Sequence, residues 1–177
     1  MQLRVRDSLV ALSLGAVLLG APRPGHAILG FGPKEPPPPA PVAQVGLVEG
    51  PARYQAGGQG AWAPLTMGRK ISPSDVVKTD KGGKVVIAFS DGTKVQLGEN
   101  ANFQVEGLEA KKVSLRMTLG LLDAWVAKVK GRKFRIRTPT AVAAVRGTQL
   151  QVLVAANGNT DFFCFSGSIG IEPPSGF

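Results

Sequence analysis

The sequence predicts an all-β domain, and three observations carry that reading. Short runs of β-branched and aromatic residues alternate with polar ones, as in KVVIAFSDGTKVQLG (residues 84–98). Turn-forming clusters punctuate them at short intervals: EGP, GGQG, DKGG, DGT, NGN and SGS. Glycine (23) and proline (14) are both abundant among 177 residues, which favours many short strands over long helices. No amphipathic run of twelve residues and no heptad pattern opposes this.

The elements follow in chain order. Residues 1–27 read as a secretory signal peptide: a basic start with Arg4 and Arg6, an apolar run SLVALSLGAVLLGA, and a small-residue cut site with Gly25 and Ala27. The rival reading, an uncleaved anchor, needs a longer apolar run than this one. Residues 28–44, ILGFGPKEPPPPAPVAQ, read as an extended, polyproline-rich tether. The all-β domain is expected over 45–172, with a short tail at 173–177. In residues 84–98, Val85, Ile87 and Phe89 share one face, Asp91-Gly92 makes the turn, and Val95 and Leu97 resume the alternation. VSLRMTL, FRIRT, LQVLVA, DFFCF and SIGIE read as further strands. LLDAWVAKV favours strand over a helical turn by its β-branched and aromatic content.

Cleavage at Ala27 removes three arginines and one aspartate, lowering the net charge from +9 to +7. It also removes His26, the only histidine, so Ser-His-Asp and Cys-His chemistry and His-containing zinc sites are excluded from the mature chain. The acidic residues form no marked dyad, and neither a P-loop nor a GxSxG elbow is present. The expectation is a protein that is not an enzyme and uses no cofactor. The single cysteine, Cys164, excludes an intramolecular disulfide and reads as a buried small hydrophobe among the aromatics of DFFCF.

Taken in order, these segments resemble the FecR-like extracytoplasmic domain family. GLVEGPARYQ and the WAPL, MGRKISPSDVVKT and KVVIAFSDGTKVQL segments follow the family's opening. FRIRTPTAVAAVRGTQLQV and then NTDFFCFSGSIGI follow its more specific closing pattern. The resemblance covers about residues 45–171. It departs at Ser74, where glycine is usual, and at Leu150, where an aromatic is usual. It implies a β-solenoid-like or rolled sheet of many short strands outside the cytoplasm. Well-known members regulate sigma factors through a cytoplasmic helical domain and a membrane span, and this chain shows neither pattern, so that role is not carried over.

Within TPTAVAAVRGTQLQV (138–152), Thr138-Pro139 suits a strand start, and Arg146, Gly147 and Thr148 pose a question about facing. Strict alternation groups Arg146 with Val142, Ala144, Thr148, Leu150 and Val152, and so turns it toward the core, provided that no bulge intervenes at Gly147. A buried guanidinium needs a carboxylate or several carbonyls, and the resemblance points to the turn aspartates Asp75 and Asp91, the latter before Gly92, as candidate partners. The functional alternative is that Arg146 binds an anion. KVKGRKFRIR reads as a hairpin with a basic comb of Lys128, Lys130, Arg132, Lys133, Arg135 and Arg137. Such a comb is either a solvated face that discourages edge pairing or a surface for partners. The partner expected is an envelope protein or an anionic envelope polymer or lipid. Nucleic acid is not expected, given the export signal and the absence of interleaved stacking aromatics. The location expected is periplasmic or secreted, with no membrane span after cleavage.

Overall fold

A computed structural model describes residues 36–174. The expected signal peptide, residues 28–35 of the tether and residues 175–177 of the tail lie outside them. Twelve strands form one curled sheet. They are β1 (Ala43–Glu49), β2 (Ala52–Gln55), β3 (Ala63–Pro64), β4 (Lys70–Ile71), β5 (Val76–Thr79) and β6 (Lys84–Phe89). There follow β7 (Lys94–Leu97), β8 (Asn102–Leu108), β9 (Lys112–Val126), β10 (Lys133–Arg137), β11 (Val142–Val154) and β12 (Thr160–Glu172). A single 3-10 turn, Ala56–Gly58, is the sole helical element among the described residues.

Two columns of strands make up the sheet, joined by strands long enough to run through both. In the first column β2 pairs with β5, β5 with β8, and β8 with residues 113–119 of β9. In the second, β1 pairs with β6, β6 with β7, and β7 with residues 122–125 of β9. β9 therefore has to turn between them, and it does so at Gly120, whose φ is +93°. A Cβ there would stand 2.7 Å from Ala101 Cα, so only glycine lets the two columns close at this point.

The curl also explains the sheet's parallel pairing. β10 lies parallel to the first half of β9, with Lys133 opposite Lys112. A straight 15-residue strand would be about 50 Å long. The connection over residues 127–132 spans at most about 20 Å, so it can return the chain only across a curled sheet. This corrects the hairpin expected over 128–137: those residues form a crossover loop followed by β10, wedged between the first halves of β9 and β11. β11 then runs on to pair with the second half of β9, and β12 pairs with β11 along its whole length.

Inner faces from both columns share one core. Phe103, Leu115, Met117 and Ile136 come from the first column, and Val85, Ile87, Leu97 and Leu122 from the second, all fully buried. Val85, Ile87 and Phe89 share one buried face with Val95 and Leu97, Val85 standing opposite Leu97 and Ile87 opposite Val95, as the alternation predicted.

Three expectations are corrected. The fold starts before residue 45: Pro41 is buried, Ala43 begins β1, and Val42 N–H donates to Ser90 Oγ at 2.9 Å. DFFCF and SIGIE are one strand rather than two, because SGS is absorbed as an irregularity in β12 instead of a turn. Cys164 is exposed, since β12 is the outermost strand and, among the described residues, pairs only with β11.

Candidate interaction surface

The facing of Arg146 is decided by a bulge. Arg146 pairs with Ser168, but the next paired position on β11, Gln149, meets Ser166, so β11 advances three residues while β12 advances two. Gly147 takes up the difference with φ +59°. A Cβ there would meet Lys128 Cβ at 2.9 Å. Past the bulge, Thr148, Leu150, Val152 and Val154 are buried as alternation predicted; just before it the parity is reversed, with Ala143 and Val145 buried and Arg146 exposed, while Val142 at the start of the strand is buried as expected. The expectation that Arg146 faces the core is corrected.

The buried guanidinium of this fold belongs to Arg132. Its side chain is 4% exposed, and its Nη1–H donates to Asp91 Oδ2 at 2.6 Å, the Asp91 side chain itself being 9% exposed. Nε–H donates to Ala110 O at 3.0 Å, and Nη2–H donates to Pro39 O. The charge is met and each guanidinium nitrogen donates a hydrogen bond, as a buried ion pair requires. Arg132 is thereby withdrawn from the basic comb. Asp91 also accepts from Thr93 N–H at 2.9 Å through Oδ1, closing the turn over Gly92.

The other aspartate has a different duty. Asp75 is buried and accepts from Gly57 N–H at 2.8 Å and Ser72 N–H at 2.9 Å, tying the 3-10 turn to the start of β5. It meets no arginine in either bond. Thr138 and Pro139 close the β10–β11 hairpin, with Thr138 N–H donating to Ala141 O at 2.9 Å. Thr148 Oγ1 donates to Ser168 O at 3.1 Å and anchors β12 beside the bulge.

These bends give the outer surface two characters. The first column shows cations: Lys133, Arg135 and Arg137 alternate along β10, next to Lys112 and Arg116 on β9 and Arg146 on β11. Arg116 is engaged by Glu106 at 2.6 Å, and Glu106 also accepts from Ser114 at 2.8 Å. Lys128 and Lys130, both exposed, lie in the crossover loop. Lys112, Arg116 and Arg146 were absent from the basic group expected from sequence, because they join it only through strand pairing.

The second column shows apolar side chains instead. Trp125 is 39% exposed, Leu153 40% and Phe163 47%, on the adjacent strands β9, β11 and β12. Phe165, at 61%, is the extra residue of a second bulge, where β12 steps from Cys164 to Ser166 while β11 steps once from Leu150 to Gln149. Between them Asp123 accepts from Gln151 Nε2 at 2.7 Å and from Gln96 Nε2 at 3.5 Å, which fixes the polar floor. Hollows of about 380 and 660 Å³ flank Trp125, the first toward Gly147 and Ser166, the second over Gly46, Val86 and Ala88. Exposed large apolar groups beside concave, small-residue floors are the usual marks of a protein-binding patch.

The family model described as FecR protein matches residues 75–170, more than half of the sequence. The chain belongs to the FecR protein family. The matched part runs from the buried Asp75 to Gly170 in β12, so it contains both bulges, the Arg132–Asp91 pair and most of both outer surfaces of this FecR domain. The chain is also 26% identical over 82 residues to an uncharacterized protein of Treponema pallidum (strain Nichols), a stretch covering 46% of this chain and 12% of that protein. No solved structure matches.

Proposed function

We propose that this FecR domain is a non-enzymatic, signalling-associated interaction module of the bacterial cell envelope, exported and free of a membrane span, which binds another envelope protein through the surface around Trp125. The observation that carries the reading is the exposed Trp125 side chain between two hollows, with Leu153, Phe163 and Phe165 also exposed on the strands β11 and β12. Aromatic side chains seated beside small-residue floors supply the anchors on which protein interfaces depend. The occupant is an apolar segment of a protein partner, whose side chains would fill the hollows on either side of Trp125. Family membership supports a signalling-associated envelope role. Among the described residues, no helix is long and apolar enough to cross a membrane.

The test is capture of soluble periplasmic proteins by the purified protein, with each captured protein identified and rebound in pure form. The double variant Trp125→Ser/Phe163→Ser should lose at least tenfold in affinity for that protein and keep its unfolding transition, since two partly exposed anchors are removed. Binding undiminished by the double variant would sink the reading.

A second reading is charge-driven binding of an anionic envelope polymer or lipid through residues 128–137, supported by the gathering of cations on the first column. Salt separates the two. Capture through exposed cations weakens steeply with ionic strength, whereas an apolar interface does not.

A further inference from the structure

A defined hollow lies on the basic surface beside β10, and its chemistry is narrower than a general attraction for anions. It has a volume of about 500 Å³ and lies across β10, β11 and β12. Arg135, Ala144 and Gly170 form one row of its floor, so two of the three positions carry almost no side chain. In the next row Arg146 stands opposite Ser168, with Lys133 one step beyond the Phe134–Val145 pair. Cations therefore rise around a floor of small residues. That is the shape of a receptacle, whereas evenly spread surface charge leaves no depression.

Arg135 supplies an independent observation. Its Nε is buried without a hydrogen-bond partner. Arg69 Nε shares that condition, but the Arg69 guanidinium lies 3.4 Å from the centroid of the Tyr54 ring, which meets its charge. Arg135 has no ring contact of this kind among the described residues. A buried N–H donor left unmet is costly, and because the Arg135 side chain lines the hollow, an oxyanion there that draws the guanidinium outward would satisfy it.

Charge then selects the anion. Arg132 also lines the hollow but is neutralised by Asp91. Lys133, Arg135 and Arg146 remain, opposed by Glu172 at the rim, and the balance is two positive charges. A carboxylate brings one negative charge, whereas a phosphate monoester brings about −1.5 to −2 at neutral pH with three acceptor oxygens. Arginine forks suit that geometry. We infer that the hollow between β10, β11 and β12 is a binding site for a phosphate monoester, held by Arg135, Arg146 and Lys133.

This site is separate from the Trp125 surface, and it narrows the charge-driven reading to one place. The experiment follows the arginine Nε–H resonances of the purified protein by NMR while glycerol phosphate is added, with acetate as the monoanion control. Glycerol phosphate should move Arg135 and Arg146, and acetate should bind more weakly. Arg146→Gln should weaken binding about tenfold or more, because a hydrogen bond to a charged group is lost. Lys128→Gln removes the same charge from an exposed position outside the hollow and should change affinity less than about twofold. Glu172→Gln should strengthen binding. Binding should also fall as pH drops through about 6, where the monoester takes up a proton.

Phosphatidylcholine vesicles with and without phosphatidic acid distinguish the sources. Vesicle binding that Arg146→Gln abolishes assigns a lipid monoester; binding of glycerol phosphate without vesicle binding assigns a soluble one. Unmoved Arg135 and Arg146 resonances would overturn the inference. So would equal losses in the Arg146→Gln and Lys128→Gln variants, which would mean diffuse charge, or equal affinity for acetate.

Discussion

Replacing Asp91 with asparagine tests the internal ion pair with little change of shape. The asparagine Oδ1 can still accept from Thr93 N–H, so the turn over Gly92 survives and only the charge opposite Arg132 is lost. Arg132 keeps its carbonyl partners, Ala110 and Pro39, but its guanidinium stays 4% exposed and uncompensated. Removing one partner of a buried pair costs about 3–5 kcal/mol. The retained carbonyl bonds place Asp91→Asn near the lower end, about 3 kcal/mol, or about 10 °C in Tm for a domain of this size. Urea unfolding followed by circular dichroism, with calorimetry for Tm, measures it. Arg132→Met should cost a similar amount by stranding Asp91, and the double variant should lose clearly less than the two combined, since neither charge is then left behind. Arg146→Ala should change stability by less than about 0.5 kcal/mol, as exposed sites do. A loss below about 1 kcal/mol in Asp91→Asn, together with a loss of several in Arg146→Ala, would refute the assignment and restore Arg146 as the internal cation.

Gly120→Ala should destabilise by about 2–4 kcal/mol in the same urea experiment, combining a left-handed backbone with a contact at 2.7 Å to Ala101. Cys164 should react with a thiol reagent in the native protein at nearly the rate of the unfolded chain, because the outermost strand leaves it exposed; protection without denaturant would contradict the position of β12.

Much of the fold was legible because alternation is local. Val85, Ile87 and Phe89 could be assigned to the core from a period of two, and Asp91-Gly92 to a turn from its own residue types. The same rule failed at Arg146 for a local reason: one added residue at Gly147 reverses the assignments over residues 143–146, and glycine was the only signal in the sequence. The failure at Arg132 has a different cause. Its immediate neighbours are glycine and lysines, so it reads as solvated, while the carboxylate that holds it lies 41 positions away. Pairing of that kind depends on the crossover from β9 to β10, which no short window contains. Cys164 was misplaced because DFFCF has the composition of a core strand, and composition does not reveal whether a further strand will cover it. The basic surface was half visible: Lys133, Arg135 and Arg137 show their alternation in sequence, whereas Lys112 and Arg146 join them only across strand pairs.

The bond from Arg132 to Pro39 has a mechanical consequence. Pro39 lies four positions ahead of the first strand, yet it is fastened to a residue 93 positions later, beside the internal ion pair. Tension applied from the amino-terminal side therefore does not begin by peeling β1 from β6. It loads the Arg132 guanidinium first and, through Asp91, the turn that joins β6 to β7. Under force, the ion pair acts as a clasp guarding the sheet's first seam.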